Sequence, residues 1–233
     1  MKQEEWLIQL SANSYPVVTF DPTSDRLLLL DFTDANQELT GPIINDTAAF
    51  SLYISRKLAA VNARYGIGGY NEHRTVYSRS SVFDSAIPGE EPRRLHLGTD
   101  IWSPSGTPVH APLDATIHSF AFNNRYGDYG ATIILRHELN GHILHTLYGH
   151  LSLSDLDGLY EGMPVARGSV IAHFGRPEEN GHWPPHLHFQ LVRDMEDMKG
   201  DYPGVCRFSE REQYLGNCPD PDYFLQMMQY AVA

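Results

Sequence analysis

Between residues 92 and 193, short apolar segments alternate with turn signals at the close intervals expected of an all-β sandwich or barrel. Ala131 to His137 reads as a strand, Asn140-Gly141 as a two-residue hairpin turn and His142 to His150 as the returning strand. Ser169 to Phe174 and His186 to Val192 add two more. The expected fold is therefore mainly β, an antiparallel core of two sheets packed around a groove.

The flanks have a different character. Residues 1–65 hold a candidate first helix, a short apolar run at Leu27 to Leu30, and a helical pattern from about Thr47 to Arg64 in which Phe50, Tyr53, Ile54, Leu58 and Val61 recur. This reads as an N-terminal helical or α+β leader packed on the main domain. Residues 66–91 are rich in Gly, Ser and Arg and read as loop or short strands, opening a main domain that runs over 66–233. Its extension, 194–233, reads as loop until a short helix over Tyr223 to Tyr230.

With 233 residues, 42% of them hydrophobic, the chain can bury a real core. A formal net charge of -12 offers no basic face for nucleic acid. No stretch approaches the roughly eighteen apolar residues of a membrane span. The first ten residues place acids where an export signal is basic, which predicts a cytoplasmic protein while leaving an extracytoplasmic setting open. Cys206 and Cys218 are expected to be unpaired thiols, since a stapled secreted scaffold carries more cysteines.

Two fragments carry the chemistry. His96-Leu97-Gly98-Thr99-Asp100 supplies a His-x-x-x-Asp pair, and His186-Leu187-His188 supplies a His-x-His pair. In a strand, residues i and i+2 share a face, so His186 and His188 project into one cavity while Leu187 and Phe189 enter the core. Pro184-Pro185 sets the entry and argues against a helix here. Catalytic zinc takes three protein ligands and keeps a fourth position open. The two fragments supply four candidate groups, three ligands and one spare base. His137, Glu138 and His142 imitate a zincin motif, but the spacing is five rather than four and Asn140-Gly141 makes a hairpin of the segment. His110, His118, His142, His145 and His173 are read as surface or hydrogen-bonded histidines.

From His96 to Val192 the chain resembles the lysostaphin/LytM-type zinc metallopeptidases of peptidoglycan. The matching text includes Gly106-Thr107-Pro108-Val109-His110-Ala111-Pro112, Tyr129-Gly130, Leu147-Tyr148-Gly149-His150-Leu151-Ser152 and Pro185-His186-Leu187-His188-Phe189. The resemblance implies a duplicated hybrid β fold, one Zn2+ per chain held by His96, Asp100 and His188, and His150 and His186 as the catalytic pair. It also implies a peptide or peptidoglycan-fragment substrate. Gly127 to Gly130, Glu179 to Gly181 and Cys218-Pro219-Asp220-Pro221 further resemble a subgroup fused to phosphotransferase and aminotransferase domains.

The chain departs from that family in the loop before His186. Gly175 to Pro185 is bulkier and more acidic than the family's Thr/Ser-Gly-rich loop. The leading expectation is a zinc endopeptidase acting on a peptide or amide bond of peptidoglycan or a derived peptide. Two others stand beside it: a non-catalytic metal-containing module that binds peptide or glycan, and a cytosolic amidase acting on a small molecule outside the wall. The metal is expected at the floor of a groove reached through two loops, with Asn124, Arg125, Tyr126 and His182 as candidate substrate contacts.

Overall fold

The structure is a computed structural model that describes residues 5–139 and 141–233; Asn140, half of the expected hairpin turn, lies outside them. Thirteen strands are present among the described residues: β1 (Leu27–Leu29), β2 (Tyr65–Gly68), β3 (Leu95–His96), β4 (Thr99–Trp102), β5 (Pro108–His110), β6 (Ala115–Asn123), β7 (Gly130–Leu139), β8 (His142–Leu151), β9 (Pro164–Val165), β10 (Val170–His173), β11 (His186–Val192), β12 (Val205–Cys206) and β13 (Ala231–Val232). The helices are α1 (Glu5–Ser11), α2 (Gly41–Asn45), α3 (Thr47–Ala60), α4 (Arg211–Asn217) and α5 (Asp222–Leu225), with short 3₁₀ turns between elements. None of the described helices is long and apolar enough to cross a membrane.

The mainly β expectation holds, but the layering differs from two antiparallel sheets. One nine-stranded sheet runs in the order β13-β1-β2-β4-β11-β8-β7-β6-β9, beside two ribbons, β10-β5 and β12-β3. It is mixed, because β1 runs parallel to both β2 and β13. A parallel pair needs a long crossover, and α2 and α3 supply one between β1 and β2. Leu27–Leu29 and Tyr65–Gly68 thereby extend the sheet next to β4. In the tail, α4 forms where a loop was expected, and α5 ends at Gln226, which takes the left-handed conformation with φ 51°.

The central strand shows how alternation places chemistry. On β11, Leu187, Phe189 and Leu191 are fully buried in the principal core with Ile133, Leu135 and Tyr148. His186, His188 and Gln190 occupy the alternate positions, so the site side chains stand on the face opposite that core. That face is roofed by a second cluster, in which Leu28, Phe32, Phe50 and Ile54 of the leader pack with Trp102 and Trp183. Helix α3 is capped by Asp46, whose carboxylate accepts from the Ala49 amide at 2.9 Å. Its four-residue spacing of Phe50, Ile54 and Leu58 makes the buried stripe. Phe50 lies 6.1 Å from both the Phe32 and the Trp102 rings, tying the leader to a strand of the site.

Because Phe50 is fully buried at this junction, Phe50→Ala should cost about 3–5 kcal/mol. Urea denaturation followed by both tryptophan fluorescence and circular dichroism should show one shifted transition. An early transition confined to the helical signal would mean that the leader folds apart from the sheet.

Candidate metal centre

The register of β4 and β11 brings the two sequence fragments together. His188 pairs with Asp100 and His186 with Trp102, while His96 closes β3 just before the turn into β4. That turn needs a glycine: a Cβ on Gly98 would fall 2.5 Å from Cε1 of His188. Three donor atoms then converge. His96 Nε2 lies 2.9 Å from His188 Nδ1 and 3.2 Å from Asp100 Oδ1, and His188 Nδ1 lies 3.1 Å from the same oxygen.

The hydrogen-bond partners fix which ring nitrogens carry protons. His96 Nδ1 donates to the Gly69 carbonyl at 2.9 Å, which leaves Nε2 bare. His188 Nε2 donates to Gln190 Oε1 at 2.9 Å, which leaves Nδ1 bare. The Gln190 amide is itself oriented by donation from Nε2 to the Pro203 carbonyl at 3.1 Å. Burial, reinforced by the Arg74 guanidinium, pushes His96 down to about 4, so it is neutral at ordinary pH. Burial alone would raise the Asp100 carboxyl, but its cationic and histidine neighbours, Arg74 among them, hold it well below the usual carboxylate range. In those tautomers two ring lone pairs and a carboxylate oxygen face one another.

A cation satisfies that arrangement. Atoms bound tetrahedrally to one zinc at 2.0–2.1 Å sit roughly 3.3 Å apart, near the separations found here. His96, Asp100 and His188 form a buried cluster able to hold a metal ion, and an imidazole and carboxylate donor set suits zinc.

His150 and His186 stand beside this cluster, their rings 4.1 Å apart. Each donates Nδ1–H to a backbone carbonyl at 2.8 Å, His150 to Asn180 and His186 to Pro184, leaving both Nε2 atoms free as bases. Burial pushes His186 down to about 4 and His150 well below its ordinary value. His186 is stacked on Trp102 at 4.0 Å. His150 has φ 63°, an uncommon backbone for a non-glycine residue. The backbone there is held on both sides, its amide donating to Tyr129 O and its carbonyl accepting from Gly175 N, each at 2.8 Å. Strain of this kind persists where surrounding structure over-determines it, and it clusters at functional sites.

Asp100, His150, His186 and His188 line one cavity of about 190 Å³. Of the expected substrate contacts, Arg125 lines it. Asn124 is an exposed loop residue. Tyr126 and His182 stack on each other at 5.5 Å outside the cavity, and Arg79 donates to both the Tyr126 hydroxyl and the His182 carbonyl. The zincin-like segment is a hairpin, with His137 buried between Asp114 O and the Thr146 hydroxyl. Cys206 and Cys218 are buried and unpaired.

Sequence reasoning missed Arg74, Gln190 and Trp102, while Trp183 lies in one of the two loops expected to flank the groove. Arg74 donates to Asp100 Oδ2, and Tyr77, Trp102 and Trp183 wall the cavity. Gln190 was findable, being two residues beyond His188 on the same strand face. Arg74 was not, because nothing in its loop spacing marks its return to the site.

His96, Asp100 and His188 form a buried group that could hold a metal ion, beside two neutral histidines. Residues 94–199 match the model of peptidase family M23. It is 39% identical over 126 residues to the DD-carboxypeptidase/endopeptidase Mpg of Neisseria meningitidis serogroup B, covering 53% of this chain and 26% of that protein. It is 31% identical over 126 residues to the L-Ala–D-Glu endopeptidase of Bacillus subtilis, covering 52% and 36%. The catalytic domain of the antimicrobial peptidase lysostaphin from Staphylococcus simulans aligns with a TM-score of 0.41 at 23% identity, covering 76% of this chain and 97% of that one. The chain thus spans only about a quarter to a third of the curated relatives' length.

Neutral buried histidines set an acid limit on the metal-free fold. His96, His137, His145 and His186 are all pushed down to about 4 by burial. Between their unfolded value of about 6.5 and 4 the unfolded chain binds more protons, so stability rises with pH there and is lost as pH falls. Urea midpoints of metal-free protein should drop steeply from pH 6.5 to 4. A flat profile would show that these rings are charged or exposed in the fold.

Proposed function

We propose that the chain is a zinc-dependent peptidase that hydrolyses a peptide or amide bond in peptidoglycan or a peptide derived from it, with one zinc per chain held by His96, Asp100 and His188. The observation that carries this reading is the pair of neutral histidines, His150 and His186, whose free Nε2 atoms share a cavity with the ligand cluster. When bound, zinc supplies a Lewis acid that acidifies water and polarises a carbonyl.

His150 and His186 then divide the proton work. One imidazole accepts at Nε2 the proton lost by the attacking water and returns it to the leaving amine, and the other, once it carries a proton at Nε2, would donate to the carbonyl oxygen. The Nδ1–H bonds to Asn180 and Pro184 fix the tautomer this requires and steady each ring as it becomes charged. Trp102 keeps the His186 plane from turning. A site built only to hold metal has no use for two pre-oriented bases, which favours the enzyme over a binding module. The substrate class follows the names of the relatives, which specify DD-peptidase and L-Ala–D-Glu endopeptidase activities.

Zinc-loaded protein incubated with muropeptides should release shorter peptides, read by mass spectrometry. His150→Ala and His186→Ala should each keep zinc while losing at least about 100-fold in rate. Loss of zinc in either variant would make that histidine a ligand, and full activity in both would remove the proposed bases.

A further inference from the structure

We propose that Arg74 is a positioning residue for the metal: it holds Asp100 as a one-oxygen ligand, which makes the segment before residue 94 part of the metal centre. The proposal rests on reading the cluster as a metal site and goes beyond it, because Arg74 lies outside the residues that match the family model.

The two oxygens of Asp100 have separate tasks. Oδ1 faces His96 and His188 at 3.2 and 3.1 Å, and Oδ2 accepts from Arg74 Nη1. The guanidinium is itself immobilised. Its Nε donates to Glu72 Oε2 at 2.6 Å, Nη1 also reaches the Tyr77 hydroxyl at 3.3 Å and Nη2 the Gly69 carbonyl at 3.4 Å. The Phe32 ring lies 5.2 Å beneath it. The side chain is 1% exposed, and a Cβ on Gly68 would fall 2.9 Å from Nη2, so the chain makes room for this one placement. A carboxylate whose second oxygen is engaged by a fixed Arg fork presents one lone-pair direction to the metal, and partners of this sort tune ligand orientation and affinity.

The same segment grips a second ligand. The Gly69 carbonyl that meets Arg74 also accepts from His96 Nδ1 at 2.9 Å. Strand β2, which leads into this loop, pairs Gly68 with Asp100. Residues 68–74 therefore hold two of the three ligands from outside.

Positioning and simple charge make opposite predictions. A guanidinium beside a dication repels it, so if charge alone mattered, Arg74→Gln would bind zinc more tightly. If Arg74 orients Asp100, that variant should bind zinc about 10- to 100-fold more weakly. Arg74→Lys, which keeps the charge but loses the fork, should fall between it and the parent. The 233-residue parent and both variants would be titrated with zinc against a chromophoric chelator. The visible spectrum of Co2+-loaded protein would report ligand geometry, and circular dichroism would report folding.

Weaker binding by Arg74→Gln with an intermediate Arg74→Lys supports the assignment. Affinity equal to or tighter than the parent in folded Arg74→Gln overturns it. If Arg74→Gln does not fold, Arg74→Lys decides: a loss beyond about threefold with a shifted Co2+ spectrum supports positioning, and affinity within that margin with an unchanged spectrum overturns it. A parent that binds no zinc defeats the metal reading itself, an outcome distinct from a parent that binds and variants that match it.

Discussion

The structure depends on three electron-rich atoms brought within about 3 Å of one another in a buried place: His96 Nε2, His188 Nδ1 and Asp100 Oδ1. The other nitrogen of each ring is engaged elsewhere, His96 Nδ1 with the Gly69 carbonyl and His188 Nε2 with Gln190 Oε1. Buried polar groups left unsatisfied are costly, and a cation is what satisfies these three together. The sheet register, the Gly98 turn and the Arg74 anchor all act to keep the atoms at that separation.

Burial does a second task. By removing water it keeps His96, His150 and His186 uncharged, so each keeps a lone pair across the neutral range. Backbone carbonyls then choose the tautomer. Orientation and protonation state are set by the same contacts, and Asn180 and Pro184, in the bulky loop before β11, provide two of them. The loop over residues 175–185 therefore sets the tautomers of His150 and His186.

Much of this was legible in the sequence. Period-two alternation put His186 and His188 on one face and Leu187 and Phe189 on the other, as found. The four-residue spacing of Phe50, Ile54 and Leu58 gave the N-terminal helix, and His96, Asp100, His150, His186 and His188 lie at one cavity or its adjoining cluster. What stayed hidden is long-range. Three apolar residues at Leu27–Leu29 carry no periodicity long enough to reveal a parallel sheet edge. Arg74 reads as one of several arginines in a polar loop until the pairing of Gly68 with Asp100 brings it under that carboxylate. Tyr126 and His182, expected near substrate from their loops, stack on each other and are tied together by Arg79.

The most direct test of the account is anomalous diffraction at the zinc edge from crystals of the zinc-loaded chain. The account predicts one zinc per chain, bound by His96 Nε2, Asp100 Oδ1 and His188 Nδ1, with a fourth position open toward His150 and His186. A zinc bound elsewhere, or one closed off by His186 or His150 as a fourth protein ligand, would contradict it.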